Sequence, residues 1–264
     1  MPSILPNYEY DIFISYRQND NKRDGWVTNF VEALKDELEA TLKNPVSIYF
    51  DVNPHDGLLE SHQVGASLEK KLKCLVFIPI ISQTYCDTES FAWKHEFLPF
   101  NKMAHEDELG MNITLAGGNV ASRVLPIKIH DIDAEDQQII EKELGGSMRS
   151  IDFIYKEPGV NRSLKPSDER NLNLEKTDYH NQINKVANAL KEIGNSVVKM
   201  ANADDGKVPS ITTESSRAQF KKEKKSSPLS LKLILGLLFI PLIMIAAYYS
   251  YTNFYSQEKS AVNH

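Results

Sequence analysis

Cysteine is nearly missing from these 264 residues: Cys74 and Cys86 are the only two. Two thiols make no disulfide framework, and both suit a reduced compartment. Cys74 lies in an apolar run, where a cysteine usually serves packing. Excess positive charge is also missing. Thirty basic against thirty-six acidic residues leave a net charge of −6, which argues against bulk binding of nucleic acid. The first residues have neither a charged n-region nor a long apolar h-region, so no signal peptide is expected. Seven histidines lack ligand spacing, and no metal site is expected. No Gly-x-Gly-x-x-Gly follows the first apolar run, which excludes a conventional dinucleotide-binding dehydrogenase. Internal repeats are lacking too.

What is present is organised around Cys74-Leu75-Val76-Phe77-Ile78-Pro79-Ile80-Ile81. An unbroken apolar run bounded by turn residues reads as a strand buried on both faces. Behind it come Tyr85, Cys86, Ser90, Trp93 and Glu96. Ligands of open α/β sheets sit beyond the carboxyl ends of such strands. A carboxylate and a tryptophan early in the next helix are therefore the first place to look for chemistry.

Around that run, strands are expected at 10–16, 46–51, 123–129 and 151–155. Pro126 within the fourth strand points to an edge or a bulge. Helical spacing predicts helices at 26–43 (Trp26, Val27, Phe30, Val31, Leu34, Leu38), around Val64, Leu68 and Leu72, at 90–103, at 134–144 with Asp133 as N-cap, and around Ile183–Ile193. Residues 17–25, 52–65, 106–119 and 157–175 read as loops. Five strands alternating with five helices predict an α/β fold, a flavodoxin-like doubly wound five-stranded parallel sheet in order 2-1-3-4-5.

The carboxyl-terminal part differs. Residues 233–251 are apolar except for Gly236, Ser250 and Pro241 and end in Tyr248, Tyr249 and Tyr251. As a helix they span roughly 28 Å, close to the hydrocarbon thickness of a bilayer. Lys221, Lys222, Lys224, Lys225 and Lys232 precede this segment, and only Lys259 is basic beyond it. The positive-inside rule then places the larger part in the cytoplasm. The expected organisation is a tail at 1–7, a domain at 8–200, a polar, basic linker at 201–230, a single transmembrane helix at 231–252 in contact with membrane lipid, and a short outer tail at 253–264.

Tyr10-Asp11-Ile12-Phe13-Ile14-Ser15-Tyr16-Arg17 resembles the first signature box of Toll/interleukin-1 receptor (TIR) domains. Phe50-Asp51 and the polar loop through Gly57 resemble the second strand and BB loop of that family. Leu75 to Ser82, with Tyr85, Ser90, Trp93 and Glu96, resembles its third strand and the start of its Ser-x-Trp-Cys-x-x-Glu helix. The likeness covers about residues 8–193 and is closer to bacterial members than to animal adaptors. The chain departs from the motif in its middle: Ala92 stands two after the serine, and the tryptophan comes one later.

The resemblance implies the five-stranded fold and one of two roles. Many bacterial and plant members cleave NAD+ at the nicotinamide–ribose bond; others act only as adaptors through TIR–TIR contact. It assigns the essential glutamate to Glu96, six residues after Ser90. Without that likeness, Glu96 is a surface carboxylate near a helix N-terminus. Ser15, Tyr16, Arg17, Asp51 and Trp93 are the residues expected around the dinucleotide, which is a substrate; no cofactor is expected. Arg17 either meets a phosphate or pairs with Asp20 or Asp51. Trp93 either stacks on nicotinamide or adenine or packs within the fold. Asp51 orients Arg17 or the loop behind it. Residues 52–65 are implied to dock on a neighbouring TIR domain.

Overall fold

The computed structural model describes residues 3–51 and 62–204. The chain runs through β1 (Tyr10–Ser15), α1 (Gln18–Lys22), α2 (Trp26–Thr41), β2 (Ile48–Phe50), α3 (His62–Leu72), β3 (Cys74–Ile81), a π-helical turn (Ala92–Phe97) and α4 (Leu98–Glu106). It continues through β4 (Asn112–Thr114), β5 (Val120–Ser122), β6 (Ile127–Lys128), α5 (Ala134–Leu144), β7 (Ile151–Asp152), β8 (Ile154–Glu157), β9 (Val160–Ser163) and α6 (Tyr179–Asp204).

The main sheet is five-stranded and parallel, in the order β2-β1-β3-β6-β7. Leaving out the hairpin β4–β5, this is the expected order 2-1-3-4-5, and it is compatible with a flavodoxin-like fold. The wholly buried β3 lies at its centre, as an unbroken apolar run requires. Period-two alternation sends Ile12 and Ile14 of β1 to one face and Phe13 to the other. The first face is covered by α2 and α6, through Phe30, Leu34, Ile183 and Val186. The second is covered by α4, α5 and the π-turn, where Phe77 stacks between Phe13 and Phe100 at 5.4 and 4.7 Å.

Several boundaries differ from the expectation. The loop at 17–25 contains α1, tied to the end of β3 because Ser82 Oγ and Thr84 Oγ1 donate to Asp20 at 2.6 and 3.1 Å. The segment at 106–119 starts the antiparallel hairpin β4–β5, and that at 157–175 holds β9, paired with β8 across a turn with Gly159 at φ +76°. Short antiparallel strands of mixed polarity carry too little alternation to stand out from a loop. Pro126 is not at an edge. It interrupts a strand lying between β3 and β7, so that only Val124 bridges Phe77 before the pairing of Ile127 and Lys128 resumes. Asp133 precedes α5 with extended backbone but makes no side-chain cap, and Gly145 closes the helix in the left-handed region at φ +68°.

Of the loop expected at 52–65, residues 62–65 belong to α3; residues 52–61 lie outside the described residues, as does the segment expected to span a membrane. Among the described residues no helix is long and apolar enough to cross a membrane.

The buried carboxylate of Asp11 joins three segments. Its Oδ1 accepts from Ser3 Oγ and the Ile4 amide, both at 2.7 Å, and its Oδ2 from the Ser47 amide and hydroxyl at 2.7 and 2.8 Å. Asp11→Asn presents an amide donor to donors on one side. It is expected to cost about 2 kcal/mol, read as a lowered urea midpoint with unchanged slope.

Candidate functional site

The order β2-β1-β3 reverses direction between β1 and β3, the place where open α/β sheets open a crevice for ligands. Ser15 ends β1 there, in register with Pro79 of β3. Beyond β3 the chain turns at Ser82, whose hydroxyl accepts from the Tyr85 amide at 3.1 Å. Ser90 then caps the following helix, its Oγ accepting from the Trp93 amide at 3.1 Å. The helix starts with a wide turn in which the Leu98 amide reaches back five residues to the Trp93 carbonyl. Such π-turns carry one residue more than an α-turn and are frequent at functional sites. The widened turn holds both Trp93 and Glu96.

The turn directs Glu96 inward. Ser15 Oγ donates to Glu96 Oε2 at 2.6 Å, and the Tyr85 hydroxyl lies 2.9 Å from the same Ser15 Oγ. Ser15 and Tyr85 are fully buried, whereas Glu96 is half-buried. Burial pushes the Glu96 carboxyl up to about 7; the Ser15 hydrogen bond opposes this, and the negative charge of Asp51 adds to it. Asp51, just past β2, therefore faces the same space. Tyr16 bridges the two elements, its hydroxyl donating to the Asp51 carbonyl at 2.5 Å. Burial, then Asp51 and Glu96, push its phenol up to about 12.

The remaining two candidates have other surroundings. Arg17 makes a long ion pair, 3.9 Å, with Asp87, which neither of its expected pairings included. The contact is long and its Asp87 side is half exposed, so the pair holds Arg17 only weakly. Trp93 is 3% exposed and packs between Tyr85 and Phe97, with centroids at 6.4 and 4.8 Å. Of the two roles open to it, packing is the one seen, and no open ring face is offered to a ligand.

The structure thus brings Ser15, Tyr16, Asp51 and Glu96 together, leaves Arg17 at the rim and buries Trp93. Sequence reasoning missed the part played by Tyr85. Tyr85 is among the residues that carry the resemblance, but it receives no role there, and nothing in the sequence aims its hydroxyl at Ser15.

Neither a model of a known protein family nor a curated protein sequence matches the chain.

Two open grooves formed by described residues lie elsewhere. One, of about 330 Å³, is lined by Lys128, Asp131, Asp152, Lys156 and Glu175, whose charges pair within it at 2.8–3.4 Å. The other, of about 300 Å³, lies beside Trp26 and Tyr179. Neither includes Glu96. Among the described residues no cluster of histidine, cysteine and carboxylate side chains could hold a metal ion.

Proposed function

We propose that the chain is a membrane-anchored TIR-domain NAD+ glycohydrolase of prokaryotic immune or stress signalling, activated by self-association. The observation that supports it most is the Glu96 carboxylate held at the switch point by Ser15, partly open to solvent and facing Asp51. In the reaction the bond between ribose C1′ and the nicotinamide nitrogen breaks. Nicotinamide leaves with the electron pair, which neutralises its ring charge. Water adds to C1′, giving ADP-ribose, and loses one proton; attack by a group of the dinucleotide itself gives a cyclic form instead. The leaving group needs no strong acid. The developing oxocarbenium charge needs a nearby anion in a water-poor setting, and this is the part assigned to Glu96. Ser15, Tyr16, Arg17 and Asp51 surround the dinucleotide in this reading. Residues 52–65 engage a neighbouring domain, and residues 231–252 hold the chain in the membrane with the domain cytoplasmic. Confinement to a plane raises the effective concentration for assembly.

The second reading is a non-catalytic module that recruits other TIR domains. It is favoured by the burial of Trp93, which offers no open ring face to a ligand. Nicotinamide release separates the two. The full-length chain, clustered through an appended multimerising tag and given NAD+, is expected to release nicotinamide, and Glu96→Gln to lose at least about a hundredfold of that rate. No release from the clustered wild type, or equal release from the variant, rejects the glycohydrolase.

A further inference from the structure

The direction of the hydrogen bonds behind Glu96 has a consequence. Ser15 carries a single hydroxyl proton, and with Glu96 ionised that proton goes to its Oε2 at 2.6 Å. The 2.9 Å contact between Ser15 and Tyr85 must then be made by the tyrosine proton. The result is a one-way chain of donors, Tyr85 to Ser15 to Glu96. Its first two members are fully buried, and Ser15 is the only partner of the Tyr85 hydroxyl among the described residues. Burial holds the Tyr85 phenol well above its ordinary range, so its proton stays in place throughout neutral pH. A donor chain ending on an ionised carboxylate is charge-assisted, and each bond polarises the next. The chain occupies Oε2; among the described residues no hydrogen bond takes Oε1.

We propose that Tyr85 and Ser15 are positioning residues, a hydroxyl relay that fixes Glu96 Oε2 inward and presents Oε1 to the ribose of the bound dinucleotide. The last clause rests on the glycohydrolase reading; the relay itself does not. Ser15 changes role accordingly, from a neighbour of the ligand to the support of the group that meets it. The other titratable groups facing the carboxylate are Asp51 beyond β2 and the Tyr16 phenol at the end of β1. Among the described residues no ion pair includes Glu96, so the relay is the main influence favouring its ionised form.

The test is a carboxyl titration by NMR on the full-length chain carrying 13C-labelled glutamate, the Glu96 signal being identified by its loss in Glu96→Gln. Ser15→Ala is expected to raise the Glu96 midpoint from about 7 by roughly one pH unit or more, the size of one hydrogen bond to a charged group. Tyr85→Phe raises it by less, and adds nothing once Ser15→Ala is present. Fluorotyrosine at position 85, a stronger donor of nearly the same shape, moves the midpoint down and keeps the test decisive if Tyr85→Phe fails to fold. In turnover the acidic limb of the kcat/KM profile moves in the same order. An unmoved midpoint, or a Tyr85→Phe effect that persists beside Ser15→Ala, overturns the relay. A wild-type chain that releases no nicotinamide rejects the glycohydrolase reading and the presentation of Oε1 to ribose, while the titration still decides the relay.

Discussion

Replacing Arg123 by methionine should destabilise the domain by about 3–5 kcal/mol, the usual consequence of removing one partner from a buried charge pair. The Arg123 side chain is 0% exposed. Its Nε and Nη2 donate to the carbonyls of Leu75 and Cys74 at 2.9 and 2.8 Å, at the start of the central strand. Its Nη1 meets Asp107 Oδ2 at 2.5 Å and the Gly110 carbonyl at 3.2 Å, and the rings of Tyr8 and Phe100 lie over the guanidinium. Methionine fills the volume but leaves these acceptors without donors. Arg123→Lys helps little, since one ammonium cannot replace a planar fork. Pairing the first change with Asp107→Leu will not restore stability either. Asp107 also accepts from the Tyr8 hydroxyl and the Gly110 amide, so its loss strands two more donors. For a domain of this size the single change should lower Tm by roughly 10 °C or more. A Tm within about 2 °C of wild type would show that the pair is dispensable.

Glu96→Gln should stabilise the domain at pH 8 by up to about 3 kcal/mol and leave it nearly unchanged at pH 4. The sign follows from the raised midpoint. In the unfolded chain the carboxyl ionises near 4.5; in the folded chain it does so at about 7, because burial disfavours the charge and Asp51 adds to the effect. Glu96 therefore contributes most to stability below pH 4.5, and that contribution is lost as pH rises through 7. Glutamine resembles the neutral acid and still accepts from Ser15. Urea unfolding of both chains at the two pH values measures the difference. An equal difference at both rejects the raised midpoint. If the proposed glycohydrolase activity holds, the same substitution lowers nicotinamide release at least about a hundredfold, so a gain in stability would accompany a loss of function, as expected of a charge held at a site against its solvation preference.

Much of the sheet was legible in the sequence. β3 announced itself by eight apolar residues, and α2 by clean helical periodicity, because burial of one helix face leaves a repeating signature. The hairpin β4–β5 and strand β9 left none, and the single strand expected at 151–155 is divided between β7 of the main sheet and the start of β8. β4 and β5 have three residues each, β8 and β9 four, and antiparallel pairing on a rim needs no continuous apolar stripe. Pro126 pointed to an edge or a bulge, and only its neighbours on both sides decided between them.

The Cys74–Phe97 stretch shows the same division for the site. Sequence by itself determined that a carboxylate follows the central strand of a doubly wound sheet, since hydrophobic pattern and connection rules are local or topological properties. The tertiary structure decided that Glu96 turns inward through a π-turn, that Trp93 is buried, that Arg17 meets Asp87, and that Tyr85 stands behind Ser15. These depend on contacts between groups as many as 81 positions apart, such as Ser15 with Glu96. Hydrogen-bond direction and desolvation arise only when such groups share one buried space, and no spacing along the chain encodes that.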